Sequence, residues 1–149
     1  MLRNWVKTMP SNHADTANRI FQEQKAHCAQ AIFSAYGEQL SLGKVDSDTC
    51  MKIASAFSGG IARTGNVCGA LTGALMALGL KYDDAEKADE AAVKLLDEFK
   101  SLNRSIICRE LINHDLITDE DIKQAFAKGS FDNCPKFVED VTVILDRLL

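Results

Sequence analysis

The sequence predicts an all-α protein, a compact helical bundle around one central apolar helix. Apolar residues recur at spacings of three and four along most of the chain, which is the period of helices that pack on one face. No segment alternates apolar and polar residues in the manner of a half-buried strand. The two prolines, Pro10 and Pro135, lie outside the interiors of the periodic segments, so long stretches are free to be helical.

Two helices are expected in the first third of the chain. Ser11 or Asn12 can cap a helix that runs toward Leu40, which places Cys28 on the inward stripe of that helix. The stretch 46–48 then offers polar caps and favourable negative charge for a second helix.

A glycine-rich loop is expected before the central helix. Residues 58–66, here called the glycine loop, contain three glycines close together, and glycine supplies the backbone conformations that turns require. The stretch 68–80 that follows is apolar on nearly every face. This pattern is typical of a helix surrounded by other helices.

Four further helices are expected in the second half of the chain. Residues 83–84 begin an amphipathic helix, and 108–112 form a short one. Thr118 begins the next with an approximate capping pattern, and Gly129 ends it. The last helix begins near Cys134, where the following proline suits a first helical position.

Composition indicates one domain and excludes two classes of partner. The chain has 149 residues, of which 46% are hydrophobic, enough for a single core; we expect a lead over 1–16 and one helical domain over 17–149. The net charge of −4 is spread in alternating signs, which argues against nucleic-acid binding. The longest apolar run, 67–80, falls short of the ~20 residues needed for membrane insertion. The N-terminus shows no secretory signal, so a cytoplasmic location is expected.

The five cysteines are the candidate chemical groups. They are Cys28, Cys50, Cys68, Cys108 and Cys134. In a reducing compartment such cysteines serve as metal ligands, redox centres or core residues more often than as structural disulfides. The last three fall at predicted helix starts, where free N–H groups favour a thiolate, and nearby arginines would strengthen this effect. Those arginines are Arg63, Arg104 and Arg109. Each cysteine taken alone is also compatible with plain core packing.

Several short segments together carry a family resemblance. They are residues 27–32, 57–63, 68–73 and 108–111, followed by Cys134. With its Cys-Gly-Ala-x-x-Gly motif, the chain resembles the redox-active family named C_GCAxxG_C_C over roughly residues 17–149. A similar domain occurs in split-Soret cytochromes c, so the resemblance implies electron transfer or iron–sulfur cluster binding.

The resemblance also implies which cysteines form the functional site. The four characteristic cysteines of the family fall on Cys28, Cys68, Cys108 and Cys134, which leaves Cys50 as a core residue. His27 and Lys25 stand where the family often has asparagine and glycine, and this difference is expected either to alter the local turn or to offer an imidazole ligand. The chain has no Cys-x-x-Cys-His motif, so covalent haem is not expected.

The four cysteines are so far apart in the chain that only tertiary folding can assemble them. We expect them to meet beside the glycine loop, where backbone N–H groups can donate to sulfur. The candidate cofactor-binding residues are Gly59, Gly60, Arg63, Gly65, Gly69 and Gly73. For the last two glycines, tight helix packing is the alternative interpretation. A nucleotide is not expected, because the Walker lysine and the GxGxxG spacing are absent.

Three functional hypotheses follow. The first is a redox protein, not a hydrolase or transferase, that passes electrons to an unidentified partner protein through an iron–sulfur cluster or other metal site. The second is thiol–disulfide exchange, with Cys68 attacking and Cys108 or Cys134 resolving. The third is a helical interaction module, with structural zinc or with no metal. A homodimer is compatible with all three.

Overall fold

The computed structural model describes residues 12–149, and within this range the protein is all-α, as predicted. The helices are α1 Asn12–Gln22, α2 Cys28–Leu40, α3 Ser47–Ile53, α4 Gly69–Lys81, α5 Ala85–Asn103, α6 Cys108–Leu111, α7 Asp119–Ala127 and α8 Cys134–Leu148. The extended pairing seen in the described range is one isolated bridge, between Val67 and Ile107. The expected cap Ser11 and most of the predicted lead over 1–16 lie outside the described residues.

The predicted central helix is confirmed as α4. Its side chains Leu71, Ala74 and Ala77 have no exposed surface, and Leu78 is 1% exposed. Small residues let α4 approach α2 closely: a Cβ added at Gly73 would lie 2.7 Å from a backbone oxygen of α2. No helix in the described part of the chain is both long and apolar enough to cross a membrane.

The prediction of one helix running toward Leu40 is wrong, because the chain breaks between α1 and α2. Gln24 has a left-handed backbone with φ of 60°, and the N–H of Lys25 donates 2.9 Å back to the last turn of α1. His27 is extended, and its N–H is accepted by a side chain in the first turn of α2. Cys28 therefore begins a helix instead of lying on the face of one. The apolar period continues through both helices, so it conceals the break.

Other helix ends follow the predicted local chemistry. Asp46 caps α3 by accepting the N–H of Thr49 at 2.7 Å. Thr118 and Asp121 form a reciprocal capping box at the start of α7. Gly129, with φ of 70°, follows the end of α7. These predictions are confirmed.

Buried side chains form two separate clusters. The main core joins α1 to α5 and α8, and Cys50 of α3 lies within it with no exposed surface. A smaller group, here called the second cluster, has four buried residues, with Ile122, Phe131 and Cys134 packed against them. Its buried residues are Cys108, Ile112, Leu116 and Ala125. Cys134 also packs against the main core, so it lies where the two clusters meet.

Candidate cysteine site

Four of the five cysteines stand at helix starts. Cys28, Cys108 and Cys134 are the first residues of α2, α6 and α8, and Cys68 is the residue immediately before α4. Side chains and unpaired N–H groups at a helix start extend beyond the end of the helix. Four such starts can therefore surround one volume that none of the helices fills.

These four cysteines line one half-open cavity of about 650 Å³. The cavity lies between the two hydrophobic clusters, because its walls include members of both. Phe137 and Val138 come from the main core, and Ile112 and Leu116 come from the second cluster. Folding thus brings together thiols that are far apart in the sequence. Cys50 is not part of the cavity wall.

A short backbone bridge fixes the positions of two of the cysteines relative to each other. At the Val67–Ile107 bridge, the N–H groups of Cys68 and Cys108 each donate to a carbonyl of the opposite segment, at 2.9 and 2.6 Å. The accepting carbonyls belong to Ile106 and Asn66, the residues that directly precede the two bridged residues. These hydrogen bonds fix the register of the two chain segments. The relative position of these two cysteines is therefore set by backbone geometry.

The glycine loop adopts an unusual left-handed turn. Residues 59–63 all have positive φ, between 50° and 71°, although Ile61, Ala62 and Arg63 are not glycines. This conformation costs roughly 1–2 kcal/mol for each non-glycine residue. Two hydrogen bonds close the turn, from the N–H groups of Gly65 and Asn66 to carbonyls of the first two loop glycines, at 3.0 and 2.9 Å. The loop was predicted; its handedness was not.

The sulfur of Cys28 lies in a backbone pocket. Burial raises the pKa of this thiol, while the backbone N–H groups of Gly59, Ala29 and Gly69 act in the opposite direction. A Cβ added at Gly69 would come closer than 3.0 Å to Sγ of Cys28, so only glycine leaves room for the sulfur there. The loop and the first residue of α4 thus create a site for one particular sulfur atom.

Burial raises the pKa of all four thiols above the ordinary value of 9.0. The pKa of Cys108 rises to about 11 and that of Cys134 to about 12, mainly through burial and then through the charge of Cys28. Burial and then Cys28 also raise the pKa of Cys68. The expectation that helix starts would favour thiolates is therefore wrong for the free thiols, because burial outweighs the N–H groups. Because the charge of Cys28 raises the pKa of each of the other three thiols, the four thiols share one environment.

The arginines take different positions. Arg63 lines the cavity, whereas Nη1 of Arg109 donates to the carbonyl of Gly65 at 3.4 Å and so ties α6 to the glycine loop. Arg104 ends α5 with a left-handed backbone. His27 is exposed and lines the cavity beside Cys28.

The candidate glycines divide into two groups. Gly59 and Gly69 line the cavity, and Gly60, Gly65 and Gly73 are not among its lining residues. A Cβ at Gly60 would lie 2.8 Å from Cβ of Cys108, and one at Gly65 would lie 3.0 Å from Cβ of Arg109. These two glycines let the loop pack closely on the start of α6. Gly73 lies against α2, in the packing role given above as its alternative.

Sequence reasoning missed the backbone and aromatic parts of the site. The carbonyl partners of Cys68 and Cys108 are those of Ile106 and Asn66, and no sequence pattern marks such a pairing. The cavity is also lined by four phenylalanines, Phe21, Phe126, Phe131 and Phe137. In the sequence, Phe21 and Phe137 stood out only as members of apolar stripes, which ordinary core residues share, and no pattern marked Phe126 or Phe131.

The thiols are free, and they are not gathered into one coordination sphere. All five cysteines are unpaired. Among residues 12–149, no group of three or more His, Cys, Asp or Glu side chains is arranged to hold a metal ion. The four thiols line the wall of the cavity without forming such a group.

The fold and the site define a class: an all-α protein in which four helix-start cysteines surround a cavity. The chain belongs to the C_GCAxxG_C_C family, described as "Putative redox-active protein (C_GCAxxG_C_C)", whose sequence profile matches residues 26–148. The match includes all four cavity cysteines. Neither the curated proteins nor the solved structures gave a significant match to the chain.

Proposed function

We propose that this protein is an electron carrier in which Cys28, Cys68, Cys108 and Cys134 bind an iron–sulfur cluster and that it exchanges electrons with a partner protein. The observation that carries the proposal is that these four cysteines, and not Cys50, line one cavity. Membership of a redox-active family supports it. When bound, such a cluster supplies one-electron chemistry.

The chemistry of the donor set fits a cluster. Four cysteine thiolates are the usual ligands of iron–sulfur clusters. The raised thiol pKa values keep the unloaded cysteines protonated near neutral pH, which makes them poor nucleophiles but leaves them competent as ligands, because a coordinating metal removes the thiol proton. Buried, protonated thiols thus support metal binding more than thiol–disulfide exchange. Free cysteines also suit a reducing compartment such as the cytoplasm.

The spread of the thiols favours a cluster over a single ion. Tetrahedral zinc with Zn–S bonds of about 2.3 Å places its sulfurs only about 3.8 Å apart. No set of described side chains is arranged in this way. A cluster of several irons takes its ligands from different corners, so thiols distributed around a cavity fit it better.

The protein's own groups would set the properties of the bound cluster. The N–H groups of Gly59, Ala29 and Gly69 would donate to the Cys28 sulfur, and hydrogen bonds to a ligating sulfur raise the reduction potential. The apolar walls would limit the access of water, and the open side of the cavity would face the partner protein. Arg63 and His27, which line the cavity, add basic side chains to this site.

Anaerobic purification and cluster reconstitution test this function. We expect visible absorption, iron and sulfide in the wild type, and an electron paramagnetic resonance signal in one redox state. Cys28→Ala should lose most of the bound iron. Cys50→Ala is the matched control: it also removes a buried thiol, but one outside the cavity, and should load normally.

Two results would refute the proposal. The first is the absence of iron and sulfide from wild-type protein after reconstitution. The second is equal loading by Cys28→Ala and Cys50→Ala. Intact mass under oxidising conditions separates the alternatives, because a loss of two daltons per chain would indicate a disulfide. Stoichiometric zinc with no redox signal would indicate a structural metal site.

A further inference from the structure

The cavity separates a small part of the chain from the rest. Residues 112–131 connect α6 to α8 and contain all of α7, and most of the second cluster comes from this segment. We call residues 112–131 the flap. Its inner side chains, including Ile112, Leu116 and Phe131, form one wall of the cavity, and the main core forms the opposite wall. The elements that form the main core are here called the body. The flap therefore faces the body across a space of about 650 Å³.

Within residues 12–149, polar contacts do not tie the flap to the body. Among the described residues, every hydrogen bond of the flap joins it to itself or to residues 108–134, and it takes part in no ion pair. Its aromatic pair, Phe126 and Phe131, is also internal. Phe126 is 65% exposed and Ile117 is 81% exposed, so much of the apolar surface of the flap is not packed.

Hydrogen bonds between residues far apart in the sequence connect the elements of the body. Tyr36 donates to a carboxylate of α8 at 2.7 Å, Tyr82 donates to the carbonyl of Leu148 at 3.1 Å, and Asn18 donates to Thr142 at 3.2 Å. These contacts join elements from both ends of the described chain over a fully buried core. Segments with few buried contacts and only local hydrogen bonds open at lower free energy than such a core.

Two of the four cavity cysteines bracket the flap. Cys108 precedes it and Cys134 follows it as the first residue of α8, while Cys28 and Cys68 come from other elements of the main core. A group bound by all four sulfurs would fill the space behind the flap and connect the cysteines at its two ends to Cys28 and Cys68 across the cavity. Each thiol would release its proton to solvent as its sulfur binds iron.

We infer that the flap is a sensor of site occupancy: it opens as a separate unit in the unloaded protein and closes when the four cysteines are ligated. The inference rests on the proposed function for the closing step only. The opening step depends on the separation of the second cluster from the main core and on the local hydrogen bonds of the flap. Occupancy of the site would thereby change the shape of one surface while the body stays folded.

Hydrogen–deuterium exchange followed by mass spectrometry tests both steps. In the unloaded protein, the amides of α7 should exchange at least about tenfold faster than those of α4. Reconstitution with iron and sulfide should slow exchange in the flap about tenfold and leave α4 unchanged. Iron and sulfide are measured in the same samples, so the extent of loading is known.

A variant isolates the opening step from the cysteines. Leu116→Ala truncates a second-cluster side chain that is 3% exposed and outside the main core. It should speed exchange in the flap several-fold and leave α2 and α4 unchanged. Faster exchange throughout the chain would show that flap and body open together and would overturn the inference.

The outcomes separate this inference from the proposed function. Slow flap exchange in the unloaded wild type, equal to that of α4, overturns the inference whatever the protein binds. Iron loading without slower flap exchange overturns the closing step and leaves the proposed function intact. Failure to load, with a fast flap, overturns the proposed function and the closing step together while upholding the separate opening of the flap.

Discussion

Gly69→Ala is the most direct test of how the site is built. The added Cβ would come closer than 3.0 Å to Sγ of Cys28, whereas non-bonded heavy atoms rest at about 3.5–4.0 Å. The same Cβ would lie 3.1 Å from the carbonyl oxygen of Phe57 and 3.3 Å from the amide nitrogen of Ala29. Because the backbone closes two directions, the sulfur must retreat by about 1 Å, and overpacking of this kind costs about 1–3 kcal/mol.

Two other glycines of α4 provide controls. Gly79 is exposed with nothing within 4 Å of an added Cβ, so Gly79→Ala should stabilise the protein by about 0.5–1 kcal/mol. A Cβ at Gly73 would lie 2.7 Å from the carbonyl oxygen of Ala29, without approaching a sulfur. Gly73→Ala therefore measures the cost of crowding α4 against α2 alone, about 1–3 kcal/mol.

The assay has two readouts for each of these variants. Urea unfolding of the unloaded protein gives the free energy of unfolding, and iron and sulfide per chain after reconstitution give the loading. We expect Gly69→Ala and Gly73→Ala to lose similar stability, but only Gly69→Ala to lose most of its loading. Normal loading by Gly69→Ala, or an equal loss in Gly73→Ala, would refute the idea that Gly69 provides the space for the Cys28 sulfur.

Two further predictions concern the unloaded protein. The thiols of Cys108 and Cys134 have pKa values of about 11 and 12 in the folded state against 9.0 ordinarily, so the native state holds more protons than the unfolded state above pH 9. Stability should therefore fall by about 2 kcal/mol or more between pH 9 and pH 11, and an unchanged urea midpoint over that window would contradict the burial of these thiols. Ala62→Gly removes a left-handed non-glycine residue, so it should be neutral or stabilising by up to about 1 kcal/mol. Gly60→Ala should destabilise, because its Cβ would lie 2.7 Å from the carbonyl oxygen of Asn66; equal unfolding free energies in the two variants would argue against the loop geometry.

Local sequence chemistry was sufficient to predict most of the helices. The cap at Asp46, the capping box at Thr118 and the apolar run of α4 act within one or two turns, so a single sequence contains them. The break before Cys28 was missed because it depends on Gln24 in a left-handed conformation, which that residue adopts only in a specific context. The spacing of apolar residues alone cannot distinguish a long helix from two helices joined by a tight turn.

The sequence predicted which residues form the candidate site better than it predicted how they are arranged. The resemblance selected the four cysteines that line the cavity, but the bridge that fixes the position of Cys68 relative to Cys108 joins segments distant in the sequence. The thiol pKa values also went against expectation, because the helix starts were visible in the sequence and the depth of burial was not. Burial depends on the packing of all the helices, and no local pattern encodes it.

The placement of thiols at helix starts has opposite consequences in the two states of the site. In the unloaded protein burial dominates, so the thiols stay neutral and the N–H groups around them have no charge to stabilise. Once sulfur is held as a thiolate, the starts of α2, α4 and α8 direct the positive ends of three long helices toward that charge. The N–H groups of Gly59 and Gly69 then become charge-assisted donors to the Cys28 sulfur. A site built from helix ends would therefore discriminate between neutral and ligated sulfur, because the same four positions that resist ionisation alone would stabilise a thiolate if a metal removed its proton.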